Sequence, residues 1–128
     1  MPLFWRQLTS LLGPAGPLPP QTIWLKAPQA DEKRILLRAQ QALTISRVDA
    51  VLSGGSSPSV SFLLCHGPDV SAAGTSVTSA ALTVSSTGTG TTFSSFASAA
   101  VAAEHWLWLE ITSVSGSPAG VTVAVVFS

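Results

Sequence analysis

The chain has 128 residues, of which 9% are charged and 46% hydrophobic, and its six basic side chains balance six acidic ones. That length makes one domain able to bury most of its apolar surface, and a formal net charge of zero offers no electrostatic footprint to nucleic acid or an anionic membrane. A lone cysteine, Cys65, excludes both an intrachain disulfide and a multi-cysteine zinc site.

Residues 1–30 read as an N-terminal arm and residues 31–128 as the folded domain. Phe4, Leu8, Leu11 and Leu12 fall at helical spacing until Gly13 and Pro14 stop the pattern, and Pro17, Pro19 and Pro20 extend the chain. So short a segment cannot bury its own apolar residues. Phe4, Trp5, Leu8, Leu11, Leu12 and Trp24 are therefore the candidate partner-binding residues, docked on a neighbouring subunit or partner, or folded back on their own domain. Arg6, Gln7, Thr9 and Ser10 interrupt the first apolar run, which rules against a signal-peptide core. Nothing approaches the roughly 18 consecutive apolar residues of a spanning helix, so a soluble protein is expected.

Gln21 to Ala27 predicts a short strand, with Ile23 and Leu25 on one face and Thr22, Trp24 and Lys26 on the other. The run Asp31, Glu32, Lys33, Arg34 predicts a solvated turn. From Ile35 onward the pattern is β. Ile35 to Ala39 makes one strand, and Ala42 to Leu52 a longer one whose apolar alternation changes phase between Ile45 and Val48, which predicts a β-bulge at Ser46 and Arg47. Gly54 to Pro58 predicts a hairpin loop.

In the next strand Val60, Phe62, Leu64 and His66 face the core, while Ser59, Ser61, Leu63 and Cys65 face away. Gly67 and Pro68 end it, Asp69 is placed to cap a turn through Ser71, and Gly74 releases the chain. Ser76 to Ser86 predicts a strand of mixed polarity. The Gly/Thr-rich segment that follows feeds a strand with Phe93 and Phe96. In His105 to Val114 the inward set is Leu107, Leu109 and Ile111 and the outward set Trp106, Trp108, Glu110 and Thr112; both faces require cover. Val121, Val123, Val125 and Phe127 alternate to the end, which predicts a last strand inside a sheet. The fold class is thus all-β, an antiparallel sandwich of jelly-roll or immunoglobulin-like kind with an extended N-terminal arm.

No catalytic, cofactor or metal site emerges from these residues, and no enzyme is expected. Cys65 and His66 are neighbours on a strand and so point to opposite faces, which denies them the geometry of a nucleophile and its base. They read as a small buried residue and a core-edge imidazole bonded to a carbonyl or carboxylate. Arg47, Asp49 and Glu110, lying within apolar strands, call for ion-pair partners. Trp106 and Trp108 are either core, a subunit interface, or a glycan-stacking platform.

The ordered segments SRVDAVL, SPSVSF, CHGPDVSAAGT, TFSSF and HWLWLEITSVSG resemble a group of small structural proteins of tailed bacteriophages, over about residues 33–128. Two positions depart from that pattern: Cys65 replaces a polar or basic residue and Pro68 a threonine. The resemblance implies a non-enzymatic virion component assembled in the host cytoplasm. Its form would be a capsid decoration (cement) protein that forms a homotrimer and binds the major capsid protein through its arm and sandwich edges; a tail or head fibre adaptor bound to a tail component is the alternative, and the charge balance adds no nucleic-acid or membrane partner to either. From a different class stands a carbohydrate-binding module that uses the Trp106 and Trp108 platform.

Overall fold

The computed structural model describes residues 18–128; the expected helical turn, with Phe4, Trp5, Leu8, Leu11 and Leu12, lies outside the described residues. Alternating β-branched and aromatic residues, punctuated by glycine and proline, form ten strands. They are β1 (Gln21–Lys26), β2 (Lys33–Arg38), β3 (Leu43–Ser53), β4 (Ser59–Gly67), β5 (Thr75–Ser76), β6 (Leu82–Val84), β7 (Thr91–Phe93), β8 (Ala100–Val101), β9 (Trp106–Ser115) and β10 (Gly120–Phe127). The first sheet runs β1-β10-β3-β7 with β8 also on β3, and the second runs β2-β9-β4-β5 with β6 also on β4. Every pairing is antiparallel. The pairs are nested, outermost β1 with β10, then β2 with β9, then β3 with β7 and β8, then β4 with β5 and β6, like one long hairpin rolled up. Of the two sandwich types left open above, this is the jelly roll.

The core lies between the inward faces, and strand alternation places it as expected. Val60, Phe62, Leu64, Leu107, Leu109 and Ile111 from the second sheet meet Val48, Leu52, Val121, Val123 and Val125 from the first, all of them buried. Phe93 closes on Phe62 edge to face, with ring centroids 6.2 Å apart, a geometry that suits the positive edge of one ring and the negative face of the other. The phase change in β3 is a bulge: Val126 pairs with Arg47 and Phe127 with Ile45, so Ser46 is the extra residue that returns Leu43 and Ile45 to the core side. The last strand lies inside its sheet, between β1 and β3.

Four expectations change. The sandwich begins at Gln21 and not at residue 31, because β1 pairs along its whole length with β10; Trp24 therefore belongs to the domain and not to an arm. Gly54 to Pro58 is no hairpin, since β3 and β4 belong to different sheets and this loop crosses the sandwich. The stretch Ser76 to Ser86 splits into β5 and β6, because the chain between them drops Val77 into the core and its backbone bonds to Leu64 and to residues 97 and 98 instead of to a ladder. The charge run is only half a turn: Asp31 sits in the turn at φ 68°, while Lys33 and Arg34 open β2.

Candidate functional site

The outward face of the second sheet carries a second, small core. Cross-strand register sets Trp108 between Ile35 on β2 and Cys65 on β4, and sets Glu110 between Lys33 and Leu63. Because β4 runs into the loop of residues 68–74 before returning as β5, that loop folds over the Trp108 ring. Gly74, at φ +69°, lies against the indole so closely that a Cβ there would come within 2.5 Å of its Cη2 atom. The ring has no exposed surface. Its Nε1–H donates to Glu110 Oε1 at 3.1 Å, and the Lys33 ammonium stands 5.3 Å from the ring centroid. Lys33 also pairs with Glu110 at 3.5 Å and donates to the Val70 carbonyl at 2.7 Å, which ties the loop to the sheet.

Cys65 is buried in the same cluster, its Sγ 3.9 Å from Glu110 Oε2. Burial first, then the negative charge and hydrogen bonding of Glu110, push its thiol up to about 11, so it is neutral and unreactive at neutral pH. His66 points to the opposite face, buried, with Nε2 3.3 Å from the Ser98 carbonyl oxygen, the core-edge imidazole that alternation called for. In the loop, Asp69 Oδ1 accepts from both the hydroxyl and the backbone N–H of Ser71, and those two bonds hold its carboxyl below the usual range. Glu110 thus finds its partner in Lys33, while Arg47 and Asp49 pair with each other at 2.9 Å on the other sheet. Among the described residues no three His, Cys, Asp or Glu side chains gather into a metal-binding group.

Trp106 and Trp108 do not make a shared platform. Trp108 is sealed beneath the 68–74 loop, and Trp106 is half-buried with the Arg38 guanidinium 5.6 Å from its ring centroid. The aromatic surface is on the opposite side of the molecule. Trp24, on the outward face of edge strand β1, is 54% exposed, and its indole lies over Gly120 of β10, where a Cβ would come within 2.5 Å of Nε1. A residue without a side chain is what lets this ring lie down on the sheet instead of standing off it. Register places Thr122 and then Val51 beside Trp24, and Ala124 and Asp49 one row along. Past them the turn at Gly90 walls a depression of about 180 Å³, bounded by Asp49, Thr92, Thr122 and Ala124. There Asp49 is held by Arg47 at one oxygen and by the Thr92 hydroxyl, at 2.7 Å, at the other. With strands about 4.8 Å apart and two residues spanning about 7 Å along a strand, Trp24 on β1 and Asp49 on β3 lie roughly 12 Å apart.

The result is a flat, hydroxyl-bearing face with an indole at one side and a fixed carboxylate at the other. The sequence carried one sign of it: Trp24 is the outward residue between two polar ones, Thr22 and Lys26, whereas the outward neighbours of Trp108 are another tryptophan and a carboxylate that needs a partner.

No family model and no curated protein matches this chain. A solved structure described as the CBM32 of AlyQ in complex with 4,5-unsaturated mannuronic acid is similar to it, with a TM-score of 0.53 and 21% identity over 81% of this chain and 75% of that one. At that identity the likeness is one of fold, a β-sandwich.

Proposed function

We propose that the chain is a non-catalytic carbohydrate-binding module whose ligand lies on the outward face of the first sheet, one sugar ring stacked on Trp24. The observation that carries this is the seating of the indole on Gly120, with its free face in solvent. A pyranose presents an apolar C–H face to an aromatic ring and a rim of hydroxyls to polar neighbours; Thr22, Thr122, Thr92 and the outer lone pairs of Asp49 are such neighbours. The AlyQ module adds an analogy of fold, since a sandwich of this kind there holds a sugar. The platform sits on a different sheet from the Trp106 and Trp108 pair first considered.

Titration of the protein with a panel of oligosaccharides, followed by tryptophan fluorescence and calorimetry, tests the reading. Removing an aromatic anchor costs about 2 kcal/mol or more, so Trp24→Ala is expected to weaken binding roughly thirtyfold while the fold persists. A flat response to every glycan, or a wild-type chain that dimerises through this face and becomes monomeric as Trp24→Ala, would overturn it.

The virion component implied by the phage resemblance is a second reading. Residues of two of its motifs converge on one unit: Gly74 from CHGPDVSAAGT and Trp108 and Glu110 from HWLWLEITSVSG pack together on the second sheet, with Cys65, a departure from the pattern, beside them. The motifs SRVDAVL and TFSSF fall in β3 and β7 of the first sheet, whereas Trp24 on β1 lies outside all of them, so a glycan site built on Trp24 and a place in a virion are compatible. Under this reading, deletion of residues 1–17 abolishes incorporation into particles; unchanged incorporation removes the arm's part in assembly.

A further inference from the structure

We infer that the sugar taken by this face is an acidic one, a uronic acid whose carboxylate pairs with Lys26 while its ring stacks on Trp24. The inference rests on the glycan reading above and names the substrate class. Its basis is the distribution of charge. Of the five basic side chains among the described residues, Lys33 pairs with Glu110, Arg34 with Glu32, Arg38 with Glu104 and Arg47 with Asp49. Lys26 is the one with no carboxylate within 4 Å, and it is exposed. It lies two residues from Trp24 on the same face of β1, about 7 Å along the strand. Its cross-strand partner is Gly120, the residue on which the indole rests.

The indole therefore leans toward the lysine's row. A ring stacked there brings a C5 carboxylate within the reach of a four-carbon stem, and the ammonium needs no displacement of an existing ion pair to meet it. Among the described residues Asp49 is the only carboxylate on this face; it stands across the sheet and its charge is offset by the Arg47 guanidinium paired with it, so it does little to repel an anion at the Trp24 end. In a chain with so few charges, an unpaired cation beside the most exposed aromatic side chain among the described residues is the feature that distinguishes one class of sugar from another.

The test compares trisaccharides of galacturonate and mannuronate with their methyl esters, which keep the ring and remove the charge, using calorimetry at low and high salt. Wild type is expected to bind the acids about three- to fivefold more tightly than the esters, with the preference fading as salt rises. Lys26→Gln is expected to bind acid and ester alike, at the wild-type ester's affinity, and Trp24→Ala to lose both. Equal binding of acid and ester by wild type, or a preference that survives in Lys26→Gln, would overturn the acidic-sugar inference and leave the glycan site standing. Failure of every saccharide to bind would overturn both. Circular dichroism of Lys26→Gln, a change at an exposed strand end, confirms that any loss is local.

Discussion

Replacing Gly74 by alanine sets a methyl group against the fully buried ring of Trp108. The backbone there has φ +69°, where an L residue pays about 1–2 kcal/mol over glycine. The added Cβ would come within 2.5 and 2.7 Å of two Trp108 ring atoms and 2.9 Å of the His66 carbonyl oxygen. Neither neighbour can move freely: the indole is held by Glu110 and Lys33, and the carbonyl belongs to the β4 ladder that pairs with β5. Overpacking of this sort costs about 1–3 kcal/mol, which brings the expected loss to about 2–5 kcal/mol. Urea denaturation followed by tryptophan fluorescence measures it as a lowered midpoint with an unchanged slope. Gly88→Ala is the control, because nothing lies within 4 Å of a Cβ there, and its expected effect is within about 0.5 kcal/mol. A Gly74→Ala protein within 0.5 kcal/mol of wild type would refute the idea that the 68–74 loop is clamped on Trp108.

The two tryptophans should separate stability from binding: Trp108→Ala is expected to cost about 3–5 kcal/mol, and Trp24→Ala to leave the unfolding midpoint nearly unchanged. A large destabilisation by Trp24→Ala would show that the indole is packing and not platform. Cys65 should resist iodoacetamide at pH 8 in the folded protein and react once urea unfolds it; rapid native labelling would contradict its burial. Since its folded thiol titrates near 11 and an unfolded one near 9, the unfolded state gives up its proton first, and stability contributed by this group is full below pH 9 and declines from there to about pH 11. Cys65→Ala should lack that part of the alkaline decline. Lys33→Met is expected to destabilise by about 1–3 kcal/mol, because it leaves the half-buried Glu110 without its cation and releases the Val70 carbonyl; chemical denaturation would show it, and a neutral result would demote the cluster to a surface ion pair.

Alternation alone was enough to sort Val60, Phe62 and Leu64 from Ser59, Ser61 and Leu63, and to separate Cys65 from His66, because a strand's period of two is a local property of the backbone. The phase change in β3 disclosed its bulge for the same reason: apolar residues must return to one face whatever the partner strand is. Asp69 and Ser71 disclosed their turn because the bonds that make it span two residues. All of this is information carried within a few positions of the chain.

Which outward residues meet water is another kind of question. Trp24, Trp106 and Trp108 all point away from the core, and their immediate neighbours give only a faint sign, the polar Thr22 and Lys26 beside Trp24, of which is exposed. The ranking comes from distant parts of the chain: the 68–74 loop and Lys33 cover Trp108, Arg38 lies over Trp106, and Gly120, nearly a hundred residues along, gives Trp24 its seat while leaving its other face open. The crossing of Gly54 to Pro58 from one sheet to the other was hidden similarly, since a loop's composition is the same whether it joins neighbours in a sheet or opposite layers. Local periodicity determined the strands and their inward faces. Only long-range pairing decided which of the outward faces became a second core and which was left as a surface for a ligand.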